Sequence, residues 1–137
     1  MALNLIKLCV GCDTVEELLD WRRSQVRPGQ PWILRTRQTP KRADELIRGG
    51  SLYRVFKGFI LSRQCIHGVD CIEDGPTKRC EITLSDTVTL TAPTPRRPFQ
   101  GWRYLCGADT PPDLENGALS PALPGDLARR LREIGVL

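Results

Sequence analysis

The feature that most constrains the fold is a long stretch of strand-type sequence after residue 50 that no helical pattern interrupts. Residues 51–72 are rich in aromatic and β-branched side chains, with bends or bulges expected at Gly58 and Gly68. From Glu81 to Thr91, polar residues occupy the odd positions and apolar residues all but one of the even ones. This alternation predicts a half-buried strand, or a hairpin that turns near Ser85-Asp86. Because these strands follow one another without helices, we expect a bent antiparallel sheet.

Helical patterns precede this stretch. A strand over residues 3–8 leads into a helix whose start is marked by two overlapping capping boxes, Asp13 with Glu16 and Thr14 with Glu17. A second strand is expected over residues 31–37, and a short helix begins at Thr39-Pro40.

The C-terminal part is less regular. Residues 107–124 are rich in turn-forming residues and are expected to be irregular, and Asp126 begins a last helix. The predicted fold class is therefore α+β, with two N-terminal helices and one C-terminal helix. The chain of 137 residues has the usual size of one domain, so we expect residues 1–137 to form a single domain.

Basic residues are concentrated in one part of the chain. Residues 21–63 hold eleven Lys or Arg against two acidic residues, a net charge of +9, although the whole chain carries only +4. In the expected strand 31–37, Arg35 and Arg37 share a face with Ile33, which makes the exposed side basic. Arginine offers a planar, bidentate donor set that suits phosphate. This clustering predicts an anionic partner.

A second concentration lies at residues 96–104, which hold three arginines and three of the eight aromatic residues. Aromatic faces stack on bases while guanidinium groups hold phosphates, so this segment is typical of a nucleic-acid contact. The alternative is a loop that packs its rings on the sheet and leaves its arginines in solvent.

Cys9 and Cys12 stand between the first strand and the first helix, a position typical of redox-active thiols. No Pro separates them, and the neighbouring Asp13 opposes thiolate formation. A zinc site would need two more ligands, and the remaining cysteines and His67 lack the spacing of a standard site. We expect free thiols and neither metal nor cofactor; a metal or redox role of the pair is the alternative.

The sequence favours a binding protein over an enzyme. It has no phosphate loop and no dinucleotide fingerprint, and the pair of Cys65 and His67 lacks a third orienting group. No apolar run approaches the ~20 residues that span a bilayer, and the N-terminus does not read as a signal peptide. We therefore expect a cytoplasmic protein without membrane contact.

Three segments carry a resemblance to a known family: LNLIKLCVGCDTVEEL, TPKRADELIRGGSLYRVFKG and PRRPFQGWRYL. They resemble short alphaproteobacterial proteins that share a domain of unknown function, number 1489, and the similarity runs to about residue 114. In that family the position of Cys12 is often another residue, which weakens the redox and metal interpretations. The family implies no particular activity.

A looser resemblance is to the PUA-like barrels, including the ASCH and EVE groups. The segments ADELIRGGSLYRV, KGFILSRQCIHGV and RCEITLSDTVTLTAPTP follow the order of helix and strands in those barrels. The resemblance implies a pseudobarrel with a basic cleft for RNA or modified bases. Gly50 is followed by SLYRV, so the ASCH signature Gly-x-Lys-x-x-Glu-x-Arg is missing.

We therefore predict a module that binds RNA or DNA through a basic cleft and the aromatic segment. The alternatives are a protein-interaction subunit of a larger assembly and an enzyme that acts on a nucleotide or small anion. The candidate ligand-binding residues are Arg35, Arg37, Lys41, Arg42, Arg54, Arg96, Arg97, Phe99, Trp102 and Arg103.

Overall fold

A computed structural model of the protein describes residues 2–25 and 30–119. Over those residues the strands are β1 Leu3–Leu8, β2 Trp32–Thr36, β3 Ser51–Phe56, β4 Phe59–Asp74, β5 Thr77–Leu84, β6 Val88–Pro95, β7 Trp102–Cys106 and β8 Asp113–Leu119. The helices are α1 Val15–Gln25 and α2 Ala43–Leu46, with a 3-10 turn at Gly107–Asp109. The elements agree with the predicted α+β class.

The strands form one bent, unclosed sheet in the order β2-β5-β4-β3-β1-β7, while β6 pairs with β4 and β8. The strands from β3 onwards pair antiparallel with one another, as expected. The sheet as a whole is nevertheless mixed, because β1 and β3 run parallel. The expectation of antiparallel pairing is therefore confirmed for the strands after residue 50, but it does not hold for the sheet as a whole. The segment containing α1, β2 and α2 is long enough to return the chain to the starting edge, which parallel pairing requires.

Strand β4 is the longest of the described strands and pairs with three others. Its first half pairs with β3 and β6, and its second half pairs with β5. The register shifts between Ile66 and Gly68, so the bulge expected at Gly68 is confirmed. The other predicted bend, Gly58, lies in the tight turn between β3 and β4 with a φ of 88°.

The alternating segment from Glu81 to Thr91 divides into two strands near Asp86, the residue that interrupts its apolar face. Strand β5 ends at Leu84 and β6 begins at Val88, and the apolar residues of the alternating pattern, Ile82, Leu84, Val88 and Leu90, are buried. The two strands do not form a hairpin, because each pairs with a different half of β4. Alternation reports which face is buried, but it carries no information about the partner strand.

The start of α1 agrees with the sequence prediction, whereas the start of α2 does not. The Thr14 hydroxyl accepts a hydrogen bond of 3.1 Å from the Glu17 N–H, which confirms the predicted start of α1. Helix α2 begins only at Ala43, later than the expected start at Thr39-Pro40. A tertiary contact lies at this start, where the Arg42 N–H donates to the Tyr104 hydroxyl at 3.1 Å.

Strand β8 occupies most of the described part of the segment 107–124, which was expected to be irregular. Its Asp113 accepts two hydrogen bonds from Arg63 of β4. The predicted C-terminal helix from Asp126 lies outside the described residues.

The sheet buries apolar side chains on both of its faces. The larger cluster holds residues such as Leu5, Leu19 and Leu52 and receives one face of α1. The smaller cluster, on the opposite face of β1 and β3, contains Ile6 and Tyr53. Strand β3 is consequently buried along its whole length. Among the described residues, no helix is long and apolar enough to cross a membrane.

Candidate functional site

A cleft of about 650 Å³ lies between β2 and β7, the two end strands of the sheet path. One wall is the end of β2 and the residues after it, the other is the start of β7, and Lys7 of β1 lies between them. Its lining residues are Lys7, Arg35, Thr36, Arg37, Gln38, Gln100, Gly101, Trp102 and Arg103. The cleft exists because β2 and β7 do not pair with each other, so the sheet stays open between them.

Every charged residue in this lining is basic: Lys7, Arg35, Arg37 and Arg103. Within the described part of the chain, neither Lys7 nor Arg37 forms a salt bridge. The Arg103 guanidinium is partly engaged, because its Nη1 donates to the main-chain carbonyls of Gln100 and Trp102 at 2.9 and 3.2 Å. Positive charges that line one concave surface raise the local concentration of anions. We name this site, with the nine lining residues given above, the basic cleft.

Arg35 is the one cleft cation that has an acidic partner in the described structure. Its Nε donates to Glu81 Oε2 of the neighbouring strand β5 at 3.0 Å, and 60% of its side chain is exposed. The contact uses only Nε, so the two terminal amino groups keep their donors. Glu81 thus orients the guanidinium without occupying its outer edge.

Trp102 joins the two walls. Its indole N–H donates to the main-chain carbonyl of Gln38 at 3.0 Å, and its ring meets Tyr104 edge to face with centroids 5.0 Å apart. It lies opposite Lys7 in the pairing of β1 with β7, so both side chains project from the same face. Trp102 is half-buried and lines the cleft, as its predicted role in stacking requires.

Phe99 has a different environment from the one its sequence context suggested. Its ring lies under two guanidinium groups, Arg103 at 5.4 Å and Arg96 at 6.0 Å, and it packs against the smaller core cluster. The ring therefore covers the outer face of the sheet and does not line the basic cleft. This matches the alternative interpretation of the 96–104 segment. Trp102 also packs against the larger core cluster, but unlike Phe99 it lines the basic cleft as well.

The remaining predicted residues are dispersed. Lys41, Arg42, Arg96 and Arg97 are exposed and do not line the basic cleft. Arg42 holds Glu45 through two hydrogen bonds of 2.6 and 2.8 Å, and its guanidinium lies over the Tyr104 ring. This contact lowers the pKa of Glu45.

Arg54 is the one predicted residue that is buried, at 6% exposure. Its Nε donates to the Gln64 side-chain oxygen at 3.1 Å, and its guanidinium lies 5.8 Å from the centre of the Trp32 ring. It lines a second, smaller pocket beside the basic cleft, together with Cys9 and Cys12. Burial lowers the pKa of Arg54, because the charged form loses its hydration.

The surroundings of Cys9 and Cys12 make both thiols poor nucleophiles. Burial raises the pKa of Cys9 to about 11, an effect that the nearby Arg54 charge only partly offsets. Burial also raises the pKa of Cys12. Zinc requires deprotonated thiols, and a buried guanidinium beside the pair repels a cation. The described residues contain no group of three or more side chains suited to a metal ion.

The other cysteines and the histidine offer no organised site. Cys65, Cys71 and Cys106 are exposed, and Cys80 is buried. His67 lies exposed in the bulge of β4. Nucleophilic catalysis by Cys65 and His67 would need a third group that orients the histidine. In the described structure the side-chain hydrogen bond of this pair joins Cys65 to Arg63 and supplies no such group.

Five residues of the basic cleft were not among the predicted candidates: Lys7, Thr36, Gln38, Gln100 and Gly101. Lys7 had a usable signal, since it is the one charged residue in the apolar strand Leu3–Leu8. The two glutamines carry no such signal, because only the curvature of the sheet brings residues 38 and 100 to the same cleft.

Comparison with known proteins defines the family but not the activity. No curated protein and no solved structure gives a significant match to the chain. Residues 5–137 match the family described as protein of unknown function DUF1489. That match covers nearly the whole chain and agrees with the resemblance of the three N-terminal and central segments. The chain belongs to the DUF1489 family.

Proposed function

We propose that the protein binds single-stranded nucleic acid in the basic cleft, with RNA as the preferred ligand. One observation carries the proposal: Arg35 and Arg37 line one cleft together with Lys7, Arg103 and an accessible tryptophan, which lie far from them in the sequence. Grooves that track a nucleic-acid backbone combine positive charge with an aromatic surface for stacking.

Each part of the lining has a matching role. The arginines and Lys7 contact phosphates, and the face of Trp102 that lines the cleft receives a base. Gln38 and Gln100 have both donor and acceptor atoms in their side-chain amides, which suits the edge of an unpaired base. The Trp102 N–H is held by Gln38, so the ring is already oriented before the ligand binds.

The lining also favours binding over catalysis. None of its nine residues is a histidine, cysteine or carboxylate, the groups that most often act as general bases or nucleophiles. The alternative of a protein-interaction surface relied on exposed rings in the 96–104 segment. The Phe99 ring is packed against the core, which leaves that alternative with less support.

The finer expectations belong to the same proposal. The order of helix α2 followed by strands β3, β4, β5 and β6 supports the resemblance to PUA-like barrels, from which the preference for RNA comes. A fold-level resemblance alone is weak support for function. The cytoplasmic location and alphaproteobacterial origin also remain predictions.

The test is the affinity for a fluorescent single-stranded RNA of about ten nucleotides, measured by anisotropy at low salt. Arg37→Ala and Arg103→Ala should each weaken binding several-fold. Lys78→Ala is the matched control, since it removes one positive charge from a residue outside the basic cleft. If all three variants lose the same amount of RNA affinity, the effect comes from net charge and not from the basic cleft. No binding of RNA at about micromolar protein would refute the proposal.

A further inference from the structure

A second pocket, of about 400 Å³, lies between α1, β1 and β2, next to the basic cleft. Its walls are largely apolar and include Leu18, Trp21 and Leu34, with Cys9 and Cys12 on one side and Arg54 among the lining residues. The volume falls in the range of small-molecule sites. We name it the Arg54 pocket.

Two arginines, Arg22 and Arg54, lie over the Trp32 ring, at 5.0 and 5.8 Å from its centre. Both are buried to the same extent, at 6% exposure. Arg22 is paired with a carboxylate, Asp86, at 3.0 Å. In the described structure Arg54 has no carboxylate partner: its side-chain hydrogen bonds go to the neutral amide of Gln64 and to the Cys9 thiol.

The thiols beside Arg54 do not supply the missing negative charge. The Cys9 thiol interacts with the Arg54 guanidinium, but burial raises the pKa of that thiol to about 11, so it is neutral under physiological conditions. A buried cation without a counter-charge is destabilising unless something neutralises it. Gln64 takes the Nε donor and Cys9 also hydrogen-bonds to the guanidinium, but the terminal amino groups keep further donors, which fit a carboxylate.

We propose that the Arg54 pocket binds a small organic carboxylate, whose single negative charge pairs with Arg54 and whose apolar body lies against Trp21 and Leu34. A neutral ligand would fill the space but leave the buried charge uncompensated. A metal cation is excluded by the same charge. The buried arginine thus selects for charge, and the apolar wall selects for an apolar body.

The Arg54 pocket is a site separate from the basic cleft, although Lys7 lines both. The inference does not depend on the proposed binding of nucleic acid, because different residues carry it. Arg35 provides a clean distinction between the two sites, since it lines the basic cleft but not the Arg54 pocket.

Cys12 provides a built-in reporter of occupancy. It lines the pocket and is partly exposed, whereas Cys71 is exposed and lies outside it. The experiment measures the rate at which N-ethylmaleimide labels each cysteine, resolved by mass spectrometry, with benzoate or benzamide present. The two compounds share a shape and differ in charge. When benzoate fills about nine-tenths of the pockets, labelling of Cys12 should slow about tenfold, because the reagent reaches only empty molecules.

Benzamide should leave the labelling of Cys12 unchanged, and Cys71 should react at the same rate throughout. Arg54→Gln should abolish the protection by benzoate, while Arg35→Gln, which removes the same charge from the neighbouring cleft, should retain it. If Arg54→Gln does not fold, Trp21→Ala replaces it: Trp21 is 49% exposed, and loss of its ring should weaken the protection. Equal protection by benzoate and benzamide, protection that survives Arg54→Gln, or no protection by benzoate would each overturn the proposal.

Discussion

The indole N–H of Trp102 donates to the main-chain carbonyl of Gln38 at 3.0 Å, across 64 residues of sequence. Gln38 is the second residue after β2, and Trp102 is the first residue of β7. The bond therefore joins the two strands at the ends of the order β2-β5-β4-β3-β1-β7. The basic cleft lies at that junction. A change at Trp102 therefore affects both the wall of the cleft and the surface proposed to receive a base.

Binding of single-stranded RNA should depend steeply on salt. If the four cleft cations neutralise about four phosphates, the slope of log K against log salt concentration should be near −3. Anisotropy titrations at several salt concentrations measure it. Arg37→Ala should reduce the slope by about 0.7, whereas Lys78→Ala should leave it unchanged. A slope near zero for the unmodified protein would contradict a phosphate-binding cleft.

Replacement of Trp102 should separate its two roles. Trp102→Phe keeps an aromatic face but loses the hydrogen bond to Gln38, so it should cost about 1 kcal/mol of folding free energy and little affinity. Trp102→Ala should also weaken RNA binding about tenfold to a hundredfold, the usual worth of one stacked base. Thermal midpoints measured beside affinities distinguish the effects.

Trp21→Ala is the control for Trp102, because Trp21 lies outside the basic cleft. It should leave the RNA affinity unchanged. If Trp102→Ala lowers only the thermal midpoint, and the affinity per folded molecule stays the same, the 96–104 segment is scaffold. The functional interpretation would then depend on the basic residues alone.

The purified protein should contain six free thiols and no stoichiometric metal. The raised pKa values of Cys9 and Cys12 oppose the deprotonation that a zinc ligand requires, and Arg54 repels the cation. Elemental analysis and thiol titration of the unfolded protein provide the measurement. About one zinc per chain, lost in Cys9→Ser, would contradict this expectation.

The ion pair of Arg63 and Asp113 should make the folded state sensitive to acid. Arg63 donates from Nε and a terminal amino group to the two Asp113 oxygens, both at 2.7 Å, which links β4 to β8. These bonds lower the pKa of Asp113 below its ordinary value of 3.8. The stabilisation is therefore complete well above that value and is lost as the pH falls through the lowered pKa.

Asp113→Asn should lower the free energy of unfolding by about 1 kcal/mol at neutral pH, a modest amount because the carboxylate is 42% exposed. Urea unfolding measures the difference, which should shrink as the pH falls below the ordinary pKa of 3.8 and the native carboxylate becomes protonated. Glu73→Gln is the control: its pair with Lys78 is more than 70% exposed on both sides and should contribute little. A difference that does not change with pH would show that the ion pair is not its source.

The sequence by itself determined the local features of this protein. The alternation from Glu81 to Thr91 predicted the buried faces of β5 and β6, and Thr14 with Glu17 marked the start of α1. Each of these signals depends on residues close together in the chain. The same applies to the basic strand that carries Arg35, whose exposed side the sequence predicted from alternation alone.

Only the tertiary structure decided which basic residues act together. The bend of the sheet brings Arg35 and Arg103 to one cleft and leaves Lys41 and Arg97 outside it. It also decided the burial of Arg54, because β3 is covered on both faces and no alternation distinguishes its inner from its outer residues. The direction of pairing between β1 and β3, and hence the mixed sheet, followed from contacts between distant segments, which local patterns do not encode.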